Sequence, residues 1–192
     1  PFDRSSVAAV VVLFCLLACG LTYGYRSGQT ANSAQSQLRI GLVQGNIPQD
    51  QKWDRNFRQA TLDAYRRLSL SAAEQGAQLI IWPEAATPFY IQEPSSDSRM
   101  VRDIPRQTGV PLLLGGPSYR EPAPQNYTYQ NSAFLFDGHG KPVGQSDKIH
   151  LVPFGEYVPF GKLLFFVNKL VVGVGDFTPG EVRPLRLGNH KL

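Results

Sequence analysis

The hydrophobic and polar positions divide this chain into an apolar amino-terminal stretch and a longer part with a mixed pattern. No charged residue occurs from Val7 to Tyr25, a length close to the ~20 residues with which a helix crosses the hydrocarbon core of a membrane. Core helices of soluble proteins seldom stay apolar on every face over such a length. The pattern therefore predicts a transmembrane helix with its flank over residues 1–28, and a buried helix of a soluble protein is the alternative.

A polar linker over residues 29–37, rich in small side chains, separates this stretch from an alternation of strand and helix patterns. Leu38–Gln44 is an apolar strand candidate. Apolar residues recur at helical spacing between Asp54 and Gln75, which predicts an amphipathic helix that ends near Gly76. Three elements follow in the order strand, helix, strand: a buried strand that ends at Glu84, a helix over Ser98–Gln107 and a buried strand over Val110–Gly116.

The next part of the pattern is typical of a β-hairpin. The apolar segment "NSAFLFD" and the segment that begins "PVGQSDKIHL" flank the turn "DGHGK", and the second arm runs into a long loop. An alternation of strands and helices that passes into hairpins implies a mixed sheet covered by helices, with its loops gathered at one edge. We therefore expect one α/β domain over residues 38–192.

Composition and charge narrow the classes of partner. The chain has 192 residues, of which 42% are hydrophobic, enough for one sizeable core. Its net charge of +4 is mild and its Lys and Arg residues are scattered, which argues against a nucleic-acid partner and suits contact with anionic lipid head groups. The only cysteines, Cys15 and Cys19, lie in the apolar stretch, so residues 38–192 supply no disulfide, zinc cluster or thiol nucleophile.

The apolar stretch also permits a second interpretation. Leu16–Cys19 reads "LLAC", which approximates the lipid-attachment signal at the end of a lipoprotein signal peptide. On that interpretation the protein is itself a lipoprotein. Against it, the leucine before Ala18 is bulkier than the signal usually tolerates, and the chain opens on Pro1 rather than methionine, as expected for a piece of a longer protein.

Three charged residues stand in apolar or proline-bearing surroundings. Glu84 lies in "LIIWPEAATP", directly after a predicted buried strand, and Lys148 and Glu156 lie in "DKIHLVPFGEYVP". Residues just past the carboxyl end of such a strand often carry the chemistry of α/β folds. We expect these flanks to bury all three charges, with Trp82 and Pro83 enclosing Glu84, and buried charges must be paired or perform a task. Taken singly, each residue could instead be a solvated cap or an ordinary salt bridge.

Five segments, in this order, resemble the nitrilase superfamily and within it the apolipoprotein N-acyltransferases of the bacterial inner membrane. They are "GNIPQ" followed by "KW", "WPEAATP", "NSAFLFD", "DKIHLVPFGEYVP" and "GDFTPG". The resemblance covers Leu38–Leu192 and implies an αββα sandwich. Within the superfamily's Glu, Lys and Cys triad it implies Glu84 as general base and Lys148 as the cation beside the tetrahedral intermediate. Outside the triad it implies Glu156 as the family's second glutamate, which orients the lysine and the base. It also implies that Trp53 shapes the substrate site, with a core aromatic as the alternative.

The same resemblance implies an activity. An acyl chain passes from a phospholipid to the N-terminal diacylglyceryl-cysteine of an apolipoprotein through a thioester, without a metal or organic cofactor. The globular domain is then expected to face the periplasm. The nucleophilic cysteine is expected beyond Leu192, so the chain alone is expected to be catalytically incomplete. Two alternatives stay open: an amidase that hydrolyses carbon–nitrogen bonds, and a non-catalytic lipoprotein with a nitrilase-like domain.

A second apolar stretch, Phe160–Gly175, bears on the substrate. Its aliphatic and aromatic residues, with Phe165 and Phe166 at the centre, are interrupted only by Asn168 and Lys169. We interpret it as a membrane-facing flap that lets phospholipid acyl chains reach the site, with its lysines at head-group level. Burial in the domain core is the alternative.

Overall fold

The structure, a computed structural model, describes residues 4–30, 37–48, 55–157, 177–181 and 183–192. The chain divides into two compact units, Pro1–Gln37 and Leu38–Leu192. The first unit contains helix α1 (Arg4–Thr30). Among the described residues one helical segment, Ser6–Ser27, is long and apolar enough to cross a membrane, with a mean hydropathy of 2.4 and none of it buried. The thiols of Cys15 and Cys19 on this helix are exposed and free.

The second unit is built on a five-stranded mixed sheet. Its strands lie in the order β1-β2-β3-β4-β5; β1, β2 and β3 are parallel, whereas β3–β4 and β4–β5 are antiparallel pairs. The predicted order of strands and helices is present. A single 3₁₀ turn, Arg55–Phe57, leads into α2. The elements are β1 (Ile40–Leu42), α2 (Arg58–Glu74), β2 (Leu79–Ile81), α3 (Ser96–Thr108), β3 (Leu112–Ala123), β4 (Asn126–Phe136), β5 (Pro142–Asp147), β6 (Arg186–Leu187) and β7 (His190–Lys191).

Among the described residues of this unit, α2 and α3 each end next to a glycine that provides the necessary backbone freedom. α3 begins at a capping box in which the Ser95 hydroxyl accepts from the Ser98 N–H and the Ser98 hydroxyl accepts from the Ser95 N–H. It ends at Gly109, whose φ of 70° is left-handed. α2 is followed by Gly76 with a φ of 83°, close to the predicted end. Glycine adopts this conformation without the strain that a Cβ adds.

The two helices cover one face of the sheet. The buried cluster on this face joins apolar side chains of α2 and α3 to alternate residues of β2, β3 and β4: Leu62, Tyr65, Val101, Ile104, Ile80, Leu112, Leu114, Phe134 and Phe136. A smaller cluster of Leu79, Leu135 and Leu185 brings the segment before β6 against the sheet. Among the described residues, therefore, one helical layer and one large sheet of the expected sandwich are present.

The hairpin β3–β4 is longer than the sequence pattern indicated. The predicted strand ended at Gly116, but β3 continues to Ala123 and pairs with β4 from Asn126 onward. The prolines in this stretch favour a loop interpretation because proline cannot donate to a strand ladder. The ladder accommodates Pro122 with a register shift between Arg120 and Ala123, which leaves that position out of the regular pairing.

Candidate active site

Glu84 lies in a tight turn just beyond the carboxyl end of β2. The next residue, Ala85, has a left-handed φ of 51°, and the Ala86 N–H donates to the Gly115 carbonyl at 2.9 Å. A Cβ at Gly115 would lie 2.8 Å from the Glu84 Cα, closer than real Cβ contacts come. Glycine at position 115 therefore lets the turn lie against β3, and this close approach fixes the backbone of Glu84.

Lys148 and Glu156 belong to the segment that follows β5. The Lys148 N–H donates to the Asn131 carbonyl at 2.7 Å, which extends the β4–β5 ladder by one bond. The chain then forms a compact turn closed by the bridge between Pro153 and Tyr157. Within it the Val152 N–H donates to Glu156 Oε2 at 2.8 Å. This bond directs the Glu156 carboxylate back toward the start of its own turn.

The structure brings the three predicted residues into one cluster. The Lys148 Nζ lies 2.9 Å from Glu84 Oε1 and 3.0 Å from Glu156 Oε2. A fourth residue that the sequence interpretation gave no role joins them: the Asn131 Nδ2 donates to Glu84 Oε1 at 2.6 Å and to Glu156 Oε1 at 2.8 Å. Asn131 is the first residue of the segment "NSAFLFD", so the sequence motif already included this position. The motif did not indicate that the Asn131 side chain contacts the two glutamates.

The prediction that all three charges are buried is wrong: Glu84 is exposed, and Lys148 and Glu156 are half-buried. The exposed fractions of the side chains are 12% for Glu156 and 28% for Lys148, but 62% for Glu84. The expected cover, Trp82, turns instead to the helical face of the sheet. Its ring stacks on Tyr65 with centroids 4.6 Å apart and donates to the Ser69 hydroxyl at 2.9 Å.

The charges of the cluster stabilise one another. The hydrogen bond to Glu84 raises the pKa of Lys148, and the bond to Glu156 adds to this against the opposing effect of burial. Burial alone would raise the pKa of Glu156, but hydrogen bonds from the Val152 N–H, Asn131 and Lys148 outweigh it and the pKa lies below its ordinary value. At neutral pH Lys148 is therefore an ammonium and Glu156 a carboxylate.

A short crossing segment ties these parts together. We call Phe177–Gly180, from the motif "GDFTPG", the FTPG segment. The Phe177 N–H donates to the Glu156 carbonyl at 3.0 Å, the Thr178 N–H to the Tyr129 carbonyl at 2.7 Å, and the Gly180 N–H to the Lys148 carbonyl at 2.9 Å. The backbones that carry Lys148 and Glu156 are thus joined through one segment.

A pocket of about 440 Å³ opens beside Glu84 and Lys148 and is lined mostly by the sheet, including Ile81, Leu113 and Ala133. Its apolar floor is suited to hold a hydrocarbon group next to the charged cluster. No three His, Cys, Asp or Glu side chains within the described part of the chain are grouped as metal ligands. Trp53, Phe165 and Phe166, together with the predicted flap, lie outside the described residues.

Comparison with known proteins gives a family match over most of the second unit. The carbon–nitrogen hydrolase family profile matches residues 39–184. Among curated proteins, the chain is similar to the apolipoprotein N-acyltransferase of Geobacter metallireducens, with 42% identity over 97% of this chain and 36% of that protein. The enzyme of the same name from Methylococcus capsulatus is 37% identical over 81% of this chain and 30% of its own length. The chain thus spans about a third of the length of the curated relatives it matches.

Among solved structures, the chain is similar to an amidase from Nesterenkonia sp. AN1. A cysteine-to-alanine mutant of that amidase, described as a member of the nitrilase superfamily, superposes with a TM-score of 0.55 and 25% identity over 82% of this chain and 55% of that one. Another structure of an amidase from Nesterenkonia sp. gives a TM-score of 0.53 at 24% identity over 82% of this chain and 54% of that one. At this identity the likeness concerns the fold.

Proposed function

The chain belongs to the carbon–nitrogen hydrolase family, and from this premise we propose that it forms part of a membrane-bound apolipoprotein N-acyltransferase. The predicted nitrilase-type α/β fold is confirmed by that match and by the likeness to the amidase. One observation carries the proposal: the Lys148 ammonium lies between the carboxylates of Glu84 and Glu156, in a chain that aligns over 97% of its length with a relative of that name.

In the first half of the proposed reaction the acyl chain moves from phospholipid to a cysteine supplied by the complete enzyme. The thiol sulfur attacks the ester carbonyl carbon and Glu84 takes the thiol proton. As the tetrahedral intermediate collapses, the carbon–oxygen bond breaks and the proton passes to the departing lysophospholipid alkoxide. A thioester and a lysophospholipid result, and neither step requires a cofactor.

The second half returns the enzyme to its starting state. The α-amino group of the apolipoprotein's diacylglyceryl-cysteine attacks the thioester carbon, and Glu84 takes one of its protons. The carbon–sulfur bond then breaks, the thiolate recovers the proton, and the acyl chain is left in an amide. Water in place of the amine would make the same site a hydrolase, which is the amidase alternative.

The contacts of Glu84 suit this role. Within the described part of the chain, both hydrogen bonds that Glu84 accepts, from Lys148 and Asn131, end on Oε1. Its Oε2 therefore keeps its lone pairs for a proton. Lys148, held as an ammonium by two carboxylates, can stabilise the thiolate and then the oxyanion, and one such donor contributes about 3 kcal/mol to the transition state.

The substrate class agrees with the remaining features of the chain. α1 carries a segment able to cross a membrane, and the apolar pocket beside the cluster offers space for the start of an acyl chain. We place the enzyme in the bacterial inner membrane with residues 38–192 in the periplasm, where a lipid donor and a lipid-anchored acceptor meet.

The test is the intact mass of the full-length protein after incubation with phospholipid. We expect the wild type to gain one acyl chain that hydroxylamine removes, and we expect Glu84→Gln to gain none while it unfolds at the wild-type temperature. A wild type that gains no mass under these conditions, or a Glu84→Gln variant that is acylated as fast, contradicts the proposal. Release of free fatty acid without transfer to an acceptor peptide would favour the hydrolase.

A further inference from the structure

A second group of polar side chains lies at the end of β5, next to the proposed site, and two of its residues, Ser132 and Asp147, also border the pocket. Asp147 is the residue before Lys148, and only 1% of its side chain is exposed. Its Oδ1 accepts from the Ser132 hydroxyl at 2.8 Å and from the Gln145 amide at 2.9 Å, while Oδ2 pairs with the Arg120 guanidinium. We call these four residues the Asp147 cluster.

The Asp147 cluster takes no part in the proposed chemistry, so its presence needs another reason. Burying a carboxylate is costly unless it is paired and hydrogen-bonded, and a well-packed apolar group of similar size is often no less stabilising. A buried ion pair is best explained where it enforces one arrangement of the chain over a competing one. Here the arrangement that needs enforcing is that of the neighbouring residue, Lys148, whose ammonium lies between the two glutamates.

In the described part of the chain, the side chains of Asp147 and Lys148 have no hydrogen-bond partner in common. Asp147 contacts Ser132, Gln145 and Arg120, whereas Lys148 contacts the two glutamates. Successive side chains of an extended strand point to opposite faces of a sheet. A slip of β5 by one residue would therefore exchange the two and send Lys148 away from the glutamates.

The β4–β5 pairing needs such a constraint. β5 has six residues and lies at the edge of the described sheet, and its ladder with β4 already contains an irregularity between Leu135 and Phe136. The turn that joins the strands is thus separated by this irregularity from the end that carries Lys148. At that end Asp147 pairs in register with Ser132 and is bonded to the hydroxyl of the same residue.

Gly180 connects the Asp147 cluster to the FTPG segment. A Cβ at Gly180 would lie 2.1 Å from the Asp147 Cβ, and the Gly180 N–H donates to the Lys148 carbonyl. The FTPG segment therefore rests directly on Asp147 while it holds the backbone of Lys148. Displacement of Asp147 would therefore disturb both the FTPG segment and the backbone of Lys148.

From these contacts we propose that the Asp147–Arg120 ion pair is a positioning element that sets the register of β5 and so holds the Lys148 ammonium between Glu84 and Glu156. The effect on catalysis rests on the proposed function, whereas the effect on the position of Lys148 does not. Asp147 and Arg120 are positioning residues and touch no reacting atom.

The experiment uses the full-length protein with Asp147→Asn, Arg120→Ala and Arg120→Lys. Rates of thioester formation are measured by intact mass against phospholipid concentration, per folded protein. A displaced lysine should lower the saturated rate about 10- to 100-fold, because a shift of about 1 Å in a catalytic group costs up to about 100-fold. The half-saturating phospholipid concentration should stay within about twofold, since ground-state binding is untouched. Arg120→Lys, which keeps the charge, should retain most of the rate.

A second readout, independent of acyl transfer, is the rate at which an amine-acetylating reagent modifies Lys148, mapped by peptide mass spectrometry. We expect Asp147→Asn and Arg120→Ala to raise this rate severalfold, because a lysine released from its carboxylates loses its raised pKa. Arg66→Ala is the matched control: it removes an exposed arginine side chain of α2 whose hydrogen bond goes to Gln107 on α3, and it should change neither readout.

The two readouts separate the possible failures. Variants that label and react like the wild type, or that only unfold at lower temperature, overturn the positioning proposal. A wild type that forms no thioester, together with variants that label Lys148 faster, overturns the proposed function and leaves the positioning role supported. Arg120→Ala is the second variant should Asp147→Asn not fold, because the Arg120 side chain is 42% exposed and its removal leaves Asp147 the hydrogen bonds from Ser132 and Gln145.

Discussion

Replacing Glu156 by glutamine removes one negative charge from the site and leaves its shape almost unchanged. The glutamate carboxylate is 12% exposed and lies 3.0 Å from the Lys148 Nζ, and it accepts from the Val152 N–H at 2.8 Å. A glutamine keeps one acceptor oxygen but loses the charge. Lys148 retains Glu84 as an ion-pair partner in this variant. The loss of folding stability is therefore smaller than when a buried charge is left with no partner at all.

The expected cost follows from these contacts. A hydrogen bond to a charged group contributes about 1.5–3 kcal/mol, so we expect Glu156→Gln to lower the free energy of unfolding by about 2 kcal/mol at neutral pH. For a unit of 150–250 residues, 1 kcal/mol corresponds to about 2–4 °C, and the unfolding temperature should fall by about 4–8 °C.

The pH dependence distinguishes charge from shape. The pKa of Glu156 is lowered in the folded state, so its contribution is complete above the unfolded pKa of about 4.3. It is lost as the pH falls through the lower folded-state pKa, because the protonated acid no longer carries the charge. The difference between wild type and Glu156→Gln should therefore be largest at about pH 7 and smaller at about pH 3.

The assay is thermal unfolding of the protein in detergent, followed by circular dichroism at both pH values. Glu181→Gln serves as the control, because Glu181 is 79% exposed and its contact with Arg183 is long, 3.4 Å. An equal deficit for Glu156→Gln at both pH values would mean that packing, not charge, explains the effect. No deficit at neutral pH would refute the argument entirely.

Two further predictions concern the geometry of the cluster. Asn131→Leu removes the amide that donates to both glutamates. We expect acylation by phospholipid, measured by intact mass, to slow about 100-fold. The control Asn126→Leu, on the same strand, should react at a rate near that of the wild type. Gly115→Ala places a Cβ 2.8 Å from the Glu84 Cα, so the turn must move; we expect about a 10- to 100-fold slower rate. At Gly24 a Cβ would lie within 4 Å of no described atom beyond its chain neighbours and the nearby backbone of its own helix, so Gly24→Ala should have no effect. A wild-type rate for Gly115→Ala would show that the turn can shift without harm to the site.

Local pattern was sufficient for several features. The apolar run predicted α1, helical spacing predicted α2, and the buried run before Glu84 predicted β2, because burial periodicity repeats over a few residues and needs no distant partner. Gly76 placed the end of α2, and the predicted helix over Ser98–Gln107 lies within a few positions of the observed bounds of α3. Resemblance of motifs, rather than periodicity, singled out Glu84, Lys148 and Glu156 together.

Only the tertiary structure decided what surrounds those residues. Glu84 and Lys148 are 64 positions apart along the chain, and the amide of Asn131 reaches both glutamates only because β4 lies between β3 and β5. The sequence suggested that Trp82 would cover Glu84, yet the indole is drawn to the opposite face by Tyr65 and Ser69. The burial of Asp147 likewise follows from the β4–β5 register. A sequence determines which face of an element is apolar, but strand order and register determine which polar groups meet, and these depend on contacts between distant parts of the chain.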